Sequence, residues 1–233
     1  MFKESEIHLS AISAIEPLRF QASQELARLK EITGTEFILG ILGGSTSENP
    51  DFHQSILDGL LKSLENKNIA VLTGGTQGGI PEYACIIASE HNIPTIGVLP
   101  ESCQKYALKS GLDLEIQCPP PLVGDSWFGS ETPTLIQIPD FFVVIGGSNG
   151  TAVEVFSILK VNERRIKKGE PIKYICPISG SGGIADYLRY LKQGNAAAKI
   201  SIPEIDINTG EEAADYILNI ARGFKAKTLK KVA

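Results

Sequence analysis

Phe141-Phe142-Val143-Val144-Ile145-Gly146-Gly147-Ser148-Asn149-Gly150-Thr151-Ala152-Val153-Glu154 is the stretch on which the fold turns. Its leading apolar residues are all aromatic or β-branched, the composition of a strand buried on both faces. Gly146, Gly147 and Gly150 end the run, and apolar residues recur at helical spacing after Thr151. Strand, glycine turn and helix start aim unpaired backbone N–H groups and the positive end of a helix dipole at one point, which makes an anion site. Glu154 falls one turn into that helix, where the dipole mildly favours a carboxylate whatever its role.

The same alternation runs outward in both directions. Apolar runs at 37–42, 69–73, 95–99 and 172–177 read as further strands, and 112–118 alternates apolar and polar like a short one. Helical periodicity covers 17–31, 51–66, 81–91 and the stretch after Thr151 to Lys168, with Val153, Phe156, Ile158 and Val161 on its apolar side and Gly169 as C-cap. A helix to about Gln193, a last strand at 199–203 and a helix over 210–222 complete the series. Residues 1–35 read as a helical lead-in and 224–233, rich in lysine, as a flexible tail. Continuous apolar strands alternating with amphipathic helices predict an α/β fold: a Rossmann-like, doubly wound, mostly parallel sheet with helices on both faces, spanning 1–233 as one domain.

Composition narrows the function classes. A formal net charge of −5 lacks the basic excess of a dedicated nucleic-acid or membrane-surface binder, so neither partner is expected. No apolar run approaches the roughly 18 residues of a membrane span, and no secretory signal is visible, which points to a cytoplasmic location. Cys85, Cys103, Cys118 and Cys176 show no CxxC pairing, and no metal site or disulfide is expected of them. His8, His53 and His91 fall at dispersed positions and are expected to be exposed.

The glycine pairs carry the functional signal. Gly43-Gly44, Gly74-Gly75 and Gly146-Gly147 follow directly on apolar strands, and Gly182-Gly183 follows after a few residues. Ligands of open parallel sheets bind outside the carboxyl ends of strands, where glycine permits close backbone approach and positive φ. Each pair alone also fits a plain tight turn; four together favour a site. None is the dinucleotide fingerprint GxGxxG or a P-loop, so a smaller phosphorylated ligand is the expected occupant.

Gly146-Gly147-Ser148-Asn149-Gly150-Thr151-Ala152-Val153-Glu154 resembles the GGxGTxxE motif of the LOG proteins, cytokinin-nucleotide phosphoribohydrolases once described as lysine decarboxylases, with one residue more between the glycine pair and Gly150. Gly43-Gly44-Ser45 and Gly74-Gly75-Thr76-Gln77-Gly78-Gly79 resemble that family's first two glycine turns, in order and spacing, and the likeness covers about 37–193. The wider LOG-like (SLOG) superfamily includes hydrolases, molybdenum-cofactor carriers and nucleotide sensors, so the likeness leaves the function open.

The resemblance implies that Gly146, Gly147, Ser148, Asn149, Gly150 and Thr151 hold a 5′-phosphate. It also implies that Gly43, Gly44, Ser45, Gly74, Gly75, Thr76, Gly78 and Gly79 line the nucleoside, and that Glu154 is the catalytic carboxylate acting at the ribose. Glu82 stands where the family has Met-Gly, as a second site carboxylate or a plain first-turn residue. The family's arginine before the motif strand is missing: none occurs between Arg28 and Arg164, and Lys105 and Lys109 are the only cations over 101–145. Arg164 and Arg165 lie roughly 20 Å along the helix from Thr151, too far to replace it. Trp127, the only tryptophan, stacks on a base or pterin ring or covers an apolar edge or dimer contact.

Two functions follow. The favoured one is a carrier or sensor that binds a nucleotide or molybdopterin-type ligand and requires no other cofactor. The alternative is a phosphoribohydrolase that cleaves the N-glycosidic bond of a nucleoside 5′-monophosphate. The resemblance also implies a homodimer or higher homo-oligomer.

Overall fold

The computed structural model describes residues 4–121 and 127–232, with side chains over 18–121 and 127–223. Helix α1 (Glu4–Thr33) leads into β1 (Phe37–Gly43), α2 (Pro50–Leu64), β2 (Ile69–Thr73), α3 (Gly79–Glu90) and β3 (Thr95–Pro100). A 3-10 turn, Glu101–Tyr106, and an extended segment bring the chain to β4 (Leu114–Cys118). Then come α4 (Thr132–Gln137), β5 (Phe141–Ile145), α5 (Asn149–Lys168), β6 (Tyr174–Pro177), α6 (Gly183–Leu191), α7 (Ala196–Ser201) and α8 (Gly210–Val232).

All pairings are parallel, in the order β4-β3-β2-β1-β5-β6. The chain therefore winds outward from β1 to β4, then crosses back to lay β5 on the other side of β1. The direction of winding reverses between β1 and β5, and that reversal opens a crevice at the carboxyl ends of the two strands. Register sharpens the point. Leu39 lies opposite Phe141 and Gly43 opposite Ile145, so Gly44 and Gly146 leave the sheet at one level.

The strand residues divide by parity between two cores. Phe141, Val143 and Ile145 pack with Leu57, Leu60 and Leu61 of α2 and with residues of α3 and α8. Phe142 and Val144 pack with Ile158 and Leu159 of α5, Leu135 of α4 and Leu29 of α1. Each such side chain contributes about 1.5–3 kcal/mol of transfer free energy, which explains why β5 shows no polar alternation. This is the doubly wound parallel architecture expected from the sequence.

Three elements differ from expectation. Residues 199–203 form no strand: Asn195 caps α7 by accepting from the Ala198 N–H at 3.0 Å, and three alanines in succession favour the helix. A parallel bridge between Ile178 and Ile207 takes the place of the missing strand beside β6. The first helix begins at Glu4, ahead of Pro17, and the last continues past Arg222 to Val232. Both extensions are rich in good helix formers, which local composition favours over the loose ends expected. On α5, Val153 and Phe156 are exposed, because the sheet-facing stripe runs instead through Thr151, Val155, Ile158, Leu159 and Asn162.

Candidate functional site at the winding reversal

A cleft of about 620 Å³ opens at the carboxyl ends of β1 and β5. Ile41 to Ser45 form its floor, Gly74, Thr76, Gln77 and Pro81 one wall, and Ser148 to Thr151 with Val153 and Glu154 the other. Tyr106, Trp127, Phe128, Gly129, Glu131, Thr132 and Leu135 close the mouth. Among the described lining residues there is no lysine, arginine or histidine.

The start of α5 forms one end of the cleft. Ser148 precedes the helix without a side-chain cap and lines the cleft with Asn149, Gly150 and Thr151; the first N–H groups of any helix have no intrahelical partner. Gly147 has φ of 91°, and a Cβ there would sit 2.6 Å from the buried Thr151 side chain. Only glycine lets the turn close over Thr151.

Not every expected glycine faces the cleft. Gly75, Gly78, Gly79, Gly146 and Gly147 do not line it; they shape the turns that do. Two matching clamps account for four of them. The Ile80 N–H at the start of α3 donates to the Gly44 carbonyl at 2.9 Å, and a Cβ on Gly79 would sit 2.2 Å from that oxygen. On the other side, Ile184 and Ala185 of α6 donate to the Gly147 and Gly146 carbonyls at 2.9 and 3.1 Å. A Cβ on Gly183 would sit 2.1 Å from the Gly147 oxygen. Each clamp has the same acidic brace: Glu82 accepts from Gly78 N–H at 2.6 Å, and Asp186 from Gly182 N–H at 3.1 Å. Glu82 is thus a first-turn cap outside the cleft lining. The Gly182-Gly183 pair packs a helix onto the β5 turn. Both turns are thus held from behind through their carbonyls.

The turn after β2 has a further task. Gly75 O accepts from Leu108 N–H and Gln77 N–H donates to Tyr106 O, both at 2.8 Å, which fixes Tyr106 at the mouth.

Two carboxylates meet the cleft. Burial first, and the charge of Glu131 second, push Glu154 from its ordinary value of 4.5 up to about 8. Burial likewise raises Glu131, against the pull of backbone N–H donors that include Gly129 at 2.7 Å. Glu131 was not foreseen as a site residue, and its place in the segment just before the β5 strand was the available signal.

The family model that describes the SLOG cluster4 family matches residues 36–167, more than half of the chain. The chain belongs to the SLOG cluster4 family. The matched segment runs from just ahead of β1 to the end of α5, so this SLOG core contains the whole cleft wall. No curated protein sequence matches the chain. Similar solved structures include TM1055, a structural genomics target, at 20% identity and a TM-score of 0.59 over 78% of this chain and 99% of that one. A molybdenum cofactor binding protein from Rippkaea orientalis is similar at 21% identity and 0.58, over 79% and 96%. The molybdenum cofactor carrier protein of Chlamydomonas reinhardtii is similar at 19% and 0.52, over 79% and 98%. At these identities the likeness establishes a shared fold.

Within the SLOG core, His53 corrects the expectation of an exposed histidine. It is 6% exposed and lies behind the Gly146 turn. Its Nε2 donates to the Ser181 carbonyl at 2.9 Å, and Nδ1 meets the Ser47 hydroxyl at 2.7 Å. Ser181 Oγ in turn accepts from Gly146 N–H at 2.9 Å and donates to Ile178 O at 2.7 Å. A histidine absent from the cleft lining thus braces the Gly146 turn. Arg164 lines a separate groove with Lys160 between α4 and α5. All four cysteines are buried and free. Among the described residues no helix is long and apolar enough to cross a membrane.

Proposed function

We propose that this SLOG protein binds a phosphorylated, nucleotide-like ligand and holds it intact, as a carrier or sensor. The observation that carries the reading is the uncapped start of α5 opening into a cleft with no cationic side chain among its described lining. Backbone N–H groups, with the dipole behind them, hold a phosphate group without an arginine. The names borne by two similar folds, a molybdenum cofactor binding protein and a molybdenum cofactor carrier protein, agree with binding without turnover.

The test uses the protein as purified from cells. On denaturation, a released phosphorylated nucleotide or pterin, identified by absorbance and mass at near-stoichiometric yield, is the expected result. Full-length protein that releases nothing, and takes up no nucleoside monophosphate or pterin monophosphate in equilibrium dialysis, sinks the reading.

One observation supports a hydrolase instead. Glu154 holds a proton near neutral pH, as a general acid must. In that reading water adds at C1′ of the ribose as the N-glycosidic bond breaks, the base departs with the Glu154 proton, and the Glu154 carboxylate so formed takes up the proton that the added water releases. Release of free base from AMP or GMP, abolished by Glu154→Gln, would establish it and exclude the carrier role.

A further inference from the structure

The cleft has a second end that the phosphate does not use. Tyr106, Trp127 and Phe128 meet at the mouth, with ring centroids 5.6 to 6.2 Å apart. They are 39, 54 and 42% exposed, respectively. Aromatic rings clustered yet open at a cleft mouth offer flat, rigid faces for a planar partner. Lys105 places its ammonium 4.9 Å from the Tyr106 ring centroid and does not line the cleft.

Beside these rings lies Glu131, 7% exposed and still part of the cleft wall. Its Oε2 accepts from Gly129 N–H at 2.7 Å, which ties the carboxylate to the turn that carries Trp127 and Phe128. No cationic side chain among the described lining residues balances it. A carboxylate withdrawn from water without a cation is costly unless N–H donors replace the lost hydration. Each carboxylate oxygen has two lone pairs, so acceptor capacity remains after the Gly129 bond. A ligand lowers the cost most when it presents two parallel N–H donors at carboxylate spacing. Among flat neutral rings, that edge belongs to the 2-amino-4-oxo heterocycles, where a ring N–H stands beside an exocyclic amine. Adenine sets an acceptor nitrogen beside its amine, and hypoxanthine a C–H beside its N–H.

We propose that Glu131 reads the ring of the bound ligand, accepting from the N–H and amino groups of a 2-amino-4-oxo heterocycle that stacks on Trp127 and its aromatic neighbours. This deepens the reading of the cleft as a site for a phosphorylated ligand and rests on it. Guanine nucleotides and pterins share the edge, and a phosphate on either reaches toward the start of α5.

The single tryptophan makes the test direct, because intrinsic tryptophan fluorescence reports on this wall alone. The full-length protein, freed of any bound molecule, is titrated at pH 7 with GMP, IMP, AMP, a pterin monophosphate and ribose 5-phosphate. GMP or the pterin monophosphate is expected to bind at least about tenfold tighter than IMP and AMP, the loss expected from one unmade charge-assisted hydrogen bond. The tighter of the two names the source of the ring. Glu131→Gln is expected to bring all ring-bearing ligands within about threefold while their quenching persists. Glu131→Asp, which withdraws the charge by one methylene, is the second variant, checked for folding by circular dichroism, and is expected to lose the preference too. Wild-type affinities for GMP, pterin monophosphate, IMP and AMP within threefold of each other overturn the inference and leave the phosphate site standing. So does a preference that survives both variants. If no phosphorylated ligand binds at all, ribose 5-phosphate included, the reading of the site fails and takes this inference with it.

Discussion

Glu154 shows how one residue changes meaning between sequence and structure. The sequence places it one turn into α5, a position that any helix start tolerates. The fold half-buries it in the cleft beside a second carboxylate, and burial raises it from 4.5 to about 8. A raised carboxyl binds its proton more tightly in the folded chain, so its contribution to stability is full below about pH 4.5 and is lost as pH rises toward 8. Glu154→Gln is therefore expected to stabilise the protein at pH 8, by about 1–2 kcal/mol once water in the open cleft is allowed for, and to change little at pH 4.5. Urea midpoints at the two pH values measure it; equal effects at both would mean that Glu154 is ionised and solvated throughout. Glu131 and His53 were illegible for a shared reason. Each owes its role to contacts formed in space: Glu131 to the aromatic turn and the cleft, His53 to Ser181, which is 128 residues away. Periodicity carries no trace of such pairs.

At the scale of elements, the two clamps show that the glycine pairs mark backbone packed on backbone as well as backbone at the cleft. The sequence shows glycine wherever backbone must come close, whether to a ligand or to other backbone. Gly79 and Gly183 serve the second need. Gly183→Ala must bring a Cβ to 2.1 Å from the Gly147 carbonyl at a φ of 53°. It is expected to cost about 2–4 kcal/mol by displacing α6 from the β5 turn. Ligand affinity should fall with it, although Gly183 lies outside the cleft lining. Gly150→Ala makes the contrast: nothing lies within 4 Å of its Cβ, its φ is not positive and it lies in α5, so stability should hold or rise by up to about 1 kcal/mol. Thermal melts and a ligand titration on the two variants separate scaffold from site. If Gly183→Ala melts like the parent, the clamp contributes nothing. The misread stretch at 199–203 teaches the complementary lesson. Its alternating isoleucines suit a strand, but an asparagine cap and the alanines ahead of them settled a helix.

For the whole molecule, the sheet order was not stated by the sequence but the edge that carries the cleft was, because every strand of a parallel sheet ends at the same edge. The pairing of β1 with β5 across about a hundred residues of chain then selects two of the glycine turns as the centre. The distribution of buried titratable groups is a second global property, and it sets a pH profile. Burial raises Glu131 and Glu154, and in the alkaline range it raises Cys85 to about 11 and Cys118, Cys176 and Tyr216 as well. All of these hold protons more tightly when folded. Glu154 loses its contribution as pH climbs from 4.5 toward 8, Glu131 loses its own as pH climbs past 4.5, and the thiols and phenol lose theirs as pH rises past their ordinary values of 9 and 10. Lys173 opposes them. At the other end of the sheet its ammonium donates to the Gln137 carbonyl at 2.9 Å and to that of Pro139, which holds the end of α4. Burial lowers it from 10.5 to about 8, so its contribution is present above 10.5 and is lost as pH falls through 8. One base against several acids leaves the balance on the acid side. The melting temperature is expected to peak near pH 5, decline through 8 and fall further above 9. In Glu154→Gln the decline between 5 and 8 should flatten while the alkaline limb is unchanged. Calorimetric melts from pH 4.5 to 10 decide it, and a maximum at pH 7.5 or above in the parent protein would show that the buried acids are already ionised in the fold.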